Sequence, residues 1–150
     1  MDLQAALPGI LPRAIEWALA RSREVQIHGA RLTAYELALA RAVGVARPEL
    51  IRKATVRRLP LPEDAALREA ASQTGLLGPE AVGLALGYAV IVVSGNESTR
   101  LLSHEFRHVH QYEESGSIEA FLRVYLKQIV EVGYMDAPLE RDARAHELAS

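Results

Sequence analysis

Val90-Ile91-Val92-Val93-Ser94-Gly95-Asn96-Glu97-Ser98-Thr99-Arg100-Leu101-Leu102-Ser103-His104-Glu105-Phe106-Arg107-His108 passes from a β-branched apolar run, through turn chemistry, into a helical pattern. Four consecutive β-branched residues predict a buried strand. Ser94-Gly95 breaks it, and Asn96 or Ser98 supplies an N-cap for a helix running through Leu101, Leu102, His104, Glu105, His108 and Tyr112. Residues four apart on a helix share a face, so His104 and His108 can offer two imidazoles to one metal ion while Glu105 lies beside them. That is the H-E-x-x-H arrangement. A catalytic zinc takes three protein ligands and a water, and a neighbouring carboxylate serves as general base. The chemistry predicted is metal-assisted hydrolysis, with Zn2+ bound once per chain.

Working outward, Ala81 to Val93 reads as one buried strand or as two around Gly87. Beyond the motif, Gly116 ends the helix and Ser117 caps another, with Phe121, Leu122, Val124, Tyr125, Ile129 and Val130 as its apolar positions and Gly133 as its stop. Asp136-Ala137-Pro138 starts a short helix expected to reach about Ala149. Upstream, Ile10, Ala14, Trp17, Ala18 and Arg21 mark a helix within the stretch that begins at Leu7. Thr33 with Glu36 is a capping-box pattern, and Gly44 is a stop. Pro48 opens a short helix, Ile51 to Leu59 alternates β-branched with basic residues as a strand would, and Pro62-Glu63-Asp64 begins a helix to about Gln73.

With 150 residues, 49% hydrophobic and 24% charged, the chain fits one globular domain and not a disordered, collagenous or coiled-coil protein. A helical layer over about residues 1–75 and a catalytic core over about 80–150 are expected within it. Zero cysteines exclude disulfides, thiolate metal sites and a cysteine nucleophile. A net charge of -2 gives no whole-chain attraction to nucleic acid or to anionic lipid. The acidic start Met1-Asp2-Leu3-Gln4 is unlike a signal peptide, and no apolar run approaches the roughly 20 residues that span a bilayer. A cytoplasmic protein with no membrane partner is expected.

The third ligand sets the subclass. A metzincin needs Gly at position 111 and His at 114, where this chain has Gln111 and Glu114. A later acid must serve. Glu140 lies 32 residues beyond His108, on the short helix after Pro138, with a whole helix between to bring it back beside the motif. Asp142, Asp136 and Glu147 are the alternatives. Asp142 points about 200° around the helix from Glu140, so the two cannot both ligate one ion, although one can orient its neighbours.

These residues carry a resemblance. His104 to Tyr112, Phe121-Leu122, Tyr125-Leu126, Gly133-Tyr134 and Pro138-Leu139-Glu140-Arg141-Asp142-Ala143 resemble small bacterial metallopeptidases of the minimal gluzincin type, over roughly the last 70 residues. The resemblance implies zinc at His104, His108 and Glu140, Glu105 as base, and a peptide or protein as substrate. It also implies an α+β, zincin-like fold, mostly helical, with a small twisted sheet next to the H-E-x-x-H helix. One position departs. Relatives place Asp four residues after the ligand Glu, where this chain has Arg144, so the supporting acid falls to Asp142 or Asp136.

Other candidates follow from position. Gln111 lies one turn beyond His108 on the metal-facing side and can hydrogen-bond a ligand or substrate, whereas His110 is displaced and expected to be structural or solvated. Tyr112 and Tyr134 are candidate donors to a tetrahedral oxyanion, against the reading of ordinary core tyrosines. The strand at Val90 to Val93 is where an extended substrate would pair at a sheet edge. Two further readings compete. One is a catalytically silent zincin-like module that binds protein. The other is a nucleic-acid adaptor built on Arg41 to Arg58, where six basic residues meet one acidic residue in a faint helix-turn-helix pattern.

Overall fold

The computed structural model describes residues 1–149, which form six α-helices and a four-stranded mixed sheet, an α+β architecture that is mostly helical. Helix α1 runs Leu3–His28, four residues further upstream than the sequence pattern predicts. Pro8 and Pro12 lie inside it, and an interior proline costs a helix up to about 3 kcal/mol. What offsets that cost is packing and a cap. The Asp2 side chain accepts from the Ala5 N–H, while Leu3, Ala6, Ile10 and Ala14 join an apolar cluster with the third helix.

After strand β1 (Ala30–Arg31) comes helix α2 (Ala34–Ala42), which opens on a complete capping box between Thr33 and Glu36. The chain turns at Gly44, whose φ of 104° is in the left-handed region that glycine enters without strain. Pro48–Leu50 is a single 3-10 turn leading directly into strand β2 (Arg52–Val56). That corrects the helix-turn-helix pattern: no second helix follows Gly44. Proline at the first position starts the turn, and the β-branched, alternating residues behind it belong to the sheet. Nor are the basic side chains free to face phosphates as one set, since Lys53 pairs with Glu36 and Glu97 and Arg52 donates to the carbonyls of Glu49 and Ile51.

Helix α3 (Ala65–Thr74) is capped by Asp64, and strands β3 (Gly83–Leu86) and β4 (Ala89–Val93) form a hairpin around Gly87, so the long apolar run is two strands. The strand order is β1-β2-β4-β3, with β2 and β4 parallel and the other pairs antiparallel. Strand β4 therefore lies inside the sheet, paired on both sides, with Ala89, Val90 and Val92 fully buried. This corrects the expectation that Val90 to Val93 offers a free edge. The available edge is β3. Val93 N–H donates to the Val82 carbonyl, so by alternation Val82, Leu84 and Leu86 bond inward, and Gly83 and Ala85 turn their peptide groups away from β4.

Three helices complete the fold: α4 (Thr99–Ser115), α5 (Ile118–Val132) and α6 (Pro138–Ala145). Ser98 caps α4, Gly116 ends it in the left-handed conformation, and Ser117 at once caps α5. Helix α6 is shorter than predicted. Beyond Ala145 the Leu148 N–H donates to Ser103 Oγ at 2.9 Å and Glu147 turns to α4, so the last residues follow partners on α4 rather than the helix axis. Phe106, Val109, Phe121 and Ile51 lie at the centre of the core, between the sheet and helices α4 and α5. Among the described residues no helix is long and apolar enough to cross a membrane.

Candidate metal centre

Helix α4 is amphipathic in an unusual sense, since its buried side carries Leu102, Phe106 and Val109 but also Glu105, His108 and Gln111. Burying polar groups is costly unless each finds a partner. The partners come from α6, which the α5 turn and the Gly133 stop bring back alongside α4. His104 Nε2 lies 3.2 Å from Glu140 Oε1, and His108 Nε2 lies 2.7 Å from Glu140 Oε2. The ligand atoms of His104, His108 and Glu140 all fall within 4.8 Å of one another. Two imidazole nitrogens and a carboxylate are the donor set that suits zinc, and their convergence on one point is the fit a single ion requires. Glu140 thus stands with the two histidines. Of the alternatives, Asp142 and Glu147 stand one layer out and Asp136 is exposed in the turn before α6.

Each histidine is held by its other nitrogen. His104 Nδ1 faces Glu147 Oε2 at 2.8 Å, and Glu147 is fixed in turn by Arg100 at 2.7 Å. His108 Nδ1 donates to Gln111 Oε1 at 2.7 Å. Both N–H donors of the Gln111 amide are used, one on the Leu139 carbonyl at 2.9 Å and one on Asp142 Oδ2 at 2.8 Å, which fixes its oxygen toward His108. Asp142 is itself clamped by Arg107, at 2.8 and 3.3 Å. With Nδ1 of each ring held by these partners, Nε2 is the nitrogen turned to Glu140 and is the one available to a metal once its proton is displaced.

Arg144, where the resemblance leads one to expect an acid, donates instead to the Met135 carbonyl. Glu147 occupies the supporting role on His104, and Asp142 acts through Gln111. The sequence offers Asp142 or Asp136 for that support and Glu147 only as an alternative ligand; Asp136 is exposed in the turn before α6, and Glu147 lies beyond the end of that helix, where helical spacing does not place it.

Burial and charge set the protonation chemistry. Burial lowers the basicity of His104, but Glu140, Glu105 and Glu147 around it override that and hold its pKa up at about 9. Glu140 is only 1% exposed; burial would raise its carboxyl, yet both histidines and the Tyr125 hydroxyl, 2.6 Å from Oε2, hold it far below the usual carboxylate range. Glu105 behaves oppositely. It is 5% exposed, and burial pushes its pKa upward against the lowering influence of His108 and His104. The two neighbouring carboxyls are thus shifted in opposite directions, Glu140 toward the charged form and Glu105 toward the protonated one.

Glu105 lies directly under the edge of β3. A Cβ built on Gly83 would sit 2.8 Å from Glu105 Oε2, so the absent side chain leaves room for the carboxylate.

Of the two candidate oxyanion donors, Tyr112 commits its hydroxyl to the Ala85 carbonyl at 3.0 Å, tying α4 to the sheet. It is a core tyrosine, as its helical spacing with Phe106 and Val109 also allows. Tyr134 stands beside Glu140, and burial followed by that carboxylate raises its pKa. Tyr125 went unrecognised. It shares the apolar face of α5 with Phe121 and Ile129, so the pattern reads it as core, and the one available signal was that a buried tyrosine hydroxyl requires a partner. His110 lies outside the cluster, with Nδ1 2.8 Å from the Gly44 carbonyl. Comparison with known protein families, with curated proteins and with solved structures finds no match to this chain.

Proposed function

We propose that the protein is a zinc-dependent peptidase of zincin-like architecture, in which His104, His108 and Glu140 hold one zinc ion and Glu105 is the general base. The observation that carries this reading is the convergence of two Nε2 atoms on both oxygens of Glu140, beside a buried glutamate of raised pKa. Zinc bound there supplies a Lewis acid that lowers the pKa of water toward ~7 and polarises the carbonyl under attack. Glu105 takes the proton of the attacking water and passes it to the leaving nitrogen. The water oxygen forms the new C–O bond as the C–N bond breaks, and the products are a carboxylic acid and an amine. Tyr134, whose hydroxyl lies against Glu140, is the candidate donor to the tetrahedral oxygen. Gly83 and Ala85 offer outward peptide groups against which an extended substrate aligns as a further strand, although the Ala85 carbonyl is already taken by Tyr112.

The test combines metal content and turnover. Protein purified without an affinity tag or chelator should carry one zinc per chain, lost in His104→Ala and in Glu140→Ala. Glu105→Gln should keep the zinc and lose about 10²- to 10⁴-fold in kcat on a cleaved peptide. Unchanged turnover in that variant overturns the mechanism. The near-complete burial of Glu105 and Glu140 also favours a second reading, a silent module in which the cluster only joins α4 to α6 and the surface binds protein. One zinc per chain without cleavage across a broad peptide library is the result expected from that module.

A further inference from the structure

A partly open cavity of about 110 Å³ is lined at one end by Glu105, His108, Glu140 and Tyr134 and elsewhere by residues of the N-terminal helix. Its near end is polar and holds the proposed chemistry. The rest is apolar: Leu7 and Trp17 of α1, Leu67 and Ala70 of α3, and Leu122 and Leu126 of α5 line it. Ile10 and Ala14 of α1 and Leu67 and Ala70 of α3 form a small apolar cluster along these walls, bridged to the main core by Trp17 and Leu126. The floor is β3, whose Gly83 to Leu86 line the same cavity and whose outward edge passes over Glu105.

We propose that this cavity receives one apolar side chain of the bound peptide, adjacent to the scissile bond, so that the enzyme selects substrates bearing a leucine- or phenylalanine-sized residue there. The inference rests on the peptidase reading. Size and lining choose the occupant. An apolar protein cavity of roughly 150 Å³ stays dry and takes up a benzene molecule, so a space of this order accepts a branched aliphatic group or one aromatic ring and is too small for a long acyl chain. A charged side chain would lose its hydration among leucines with no counter-charge beyond the polar end. A peptide aligned on the β3 edge sets alternate side chains to opposite faces of the strand, which directs one of them into the space beneath.

Trp17 is the single tryptophan of the chain and lines the cavity, which makes its indole N–H resonance a direct reporter of occupancy. In the zinc-loaded protein, titration with N-acetyl-leucinamide should shift that resonance saturably, and N-acetyl-aspartamide should not. Ala70→Phe fills the space from α3 and should abolish the shift. In hydrolysis, peptides differing only at the residue beside the cleaved bond should give kcat/KM at least about 50-fold higher for Leu or Phe than for Asp. Ala70→Phe should lower the Leu value while leaving an Ala peptide nearly unchanged. Cleavage without such preference overturns the pocket inference and leaves the peptidase reading standing. A saturable Trp17 shift with no cleavage of any peptide overturns the peptidase reading, and the substrate claim with it. Equal shifts by the leucine and aspartate amides overturn the apolar selection even if Ala70→Phe fails to fold.

Discussion

At the level of single residues, function and stability are separable because the groups supporting the proposed metal ligands differ in what they touch. Tyr125 donates to Glu140 Oε2 from within the core, and Tyr125→Phe removes only that hydroxyl. Loss of a partner to a metal ligand typically weakens affinity about 10- to 100-fold, so zinc binding measured by chelator competition should fall by that factor. The global stability of the metal-free protein in urea should fall by only about 1 to 2 kcal/mol. An unaltered zinc affinity would mean that Tyr125 does not set the position of Glu140.

Gly83 argues from space rather than bonding. A methyl group there meets Glu105 Oε2 at 2.8 Å and Leu101 Cδ1 at 2.9 Å. Gly83→Ala should displace Glu105, the proposed general base, lowering kcat about tenfold or more while thermal unfolding shows a loss of about 1 to 3 kcal/mol from overpacking. Full activity in that variant would show that Glu105 is free to move without consequence.

At the level of elements, helix α4 is fixed at both ends and along its length. Ser98 caps its start, accepting from Leu101 N–H at 3.1 Å, and Gly116 closes it at a φ of 91° with no heavy atom near the position of a Cβ. Ser98→Ala and Gly116→Ala should each cost about 1 kcal/mol in urea unfolding, by loss of the cap bond and by left-handed backbone strain respectively. Neither should remove the zinc, since the ligands lie in the helix interior.

Arg107 performs a different task. It clamps Asp142 of α6 with two bonds and donates to the Val43 carbonyl at the end of α2, at 2.8 Å. A Cβ on Gly44 would fall 2.9 Å from the same guanidinium, so glycine is required there for close approach as well as for its positive φ. The N-terminal half is thereby attached to α4 on one side, while α1 and α3 wall the cavity on another. Gly44 is legible in the sequence as a helix stop, but its second role is not, because nothing local to residue 44 announces an arginine 63 positions later.

At the level of the whole molecule, the parallel pairing of β2 with β4 joins the two halves of the chain into one sheet. Lys53 of β2 stands at that junction, bonded to Glu36 of α2 and to Glu97 just ahead of α4. Burial alone would raise the carboxyl of Glu36, but the Lys53 ammonium and the Thr33 backbone N–H lower it below its ordinary 4.5, while Lys53 is held above 10.5 because Glu36 and Glu97 outweigh its own burial. The lowered Glu36 contributes stability that is present above pH 4.5 and lost as pH falls through its folded pKa. The raised Lys53 contributes stability that is present below pH 10.5 and lost as pH rises through its own.

Lys53→Met leaves Glu36 buried without its cation, and should destabilise the protein by about 3 kcal/mol at pH 7. The difference from wild type in urea unfolding should narrow below pH 4.5 as Glu36 takes up a proton. A difference constant from pH 7 to pH 3 would locate the effect in packing instead.

The amino-acid sequence by itself determined what depends on neighbours along the chain. His104, Glu105 and His108 share a helix face because four residues make about one turn, and Thr33, Asp64, Ser98 and Ser117 begin helices because a short polar side chain can bond the free N–H groups ahead of it. Gly116 and Gly133 end helices for equally local reasons. Tertiary structure alone decided what depends on distant partners. It placed Glu140 with the histidines while setting Glu147 and Asp142 behind them, gave Tyr125 the Glu140 carboxylate and Tyr112 a strand carbonyl, and put β3 rather than β4 at the sheet edge. Periodicity reports which face of an element is apolar, but not which polar group on that face will meet which partner. That pairing is chosen when burial makes an unpartnered group too costly to leave alone.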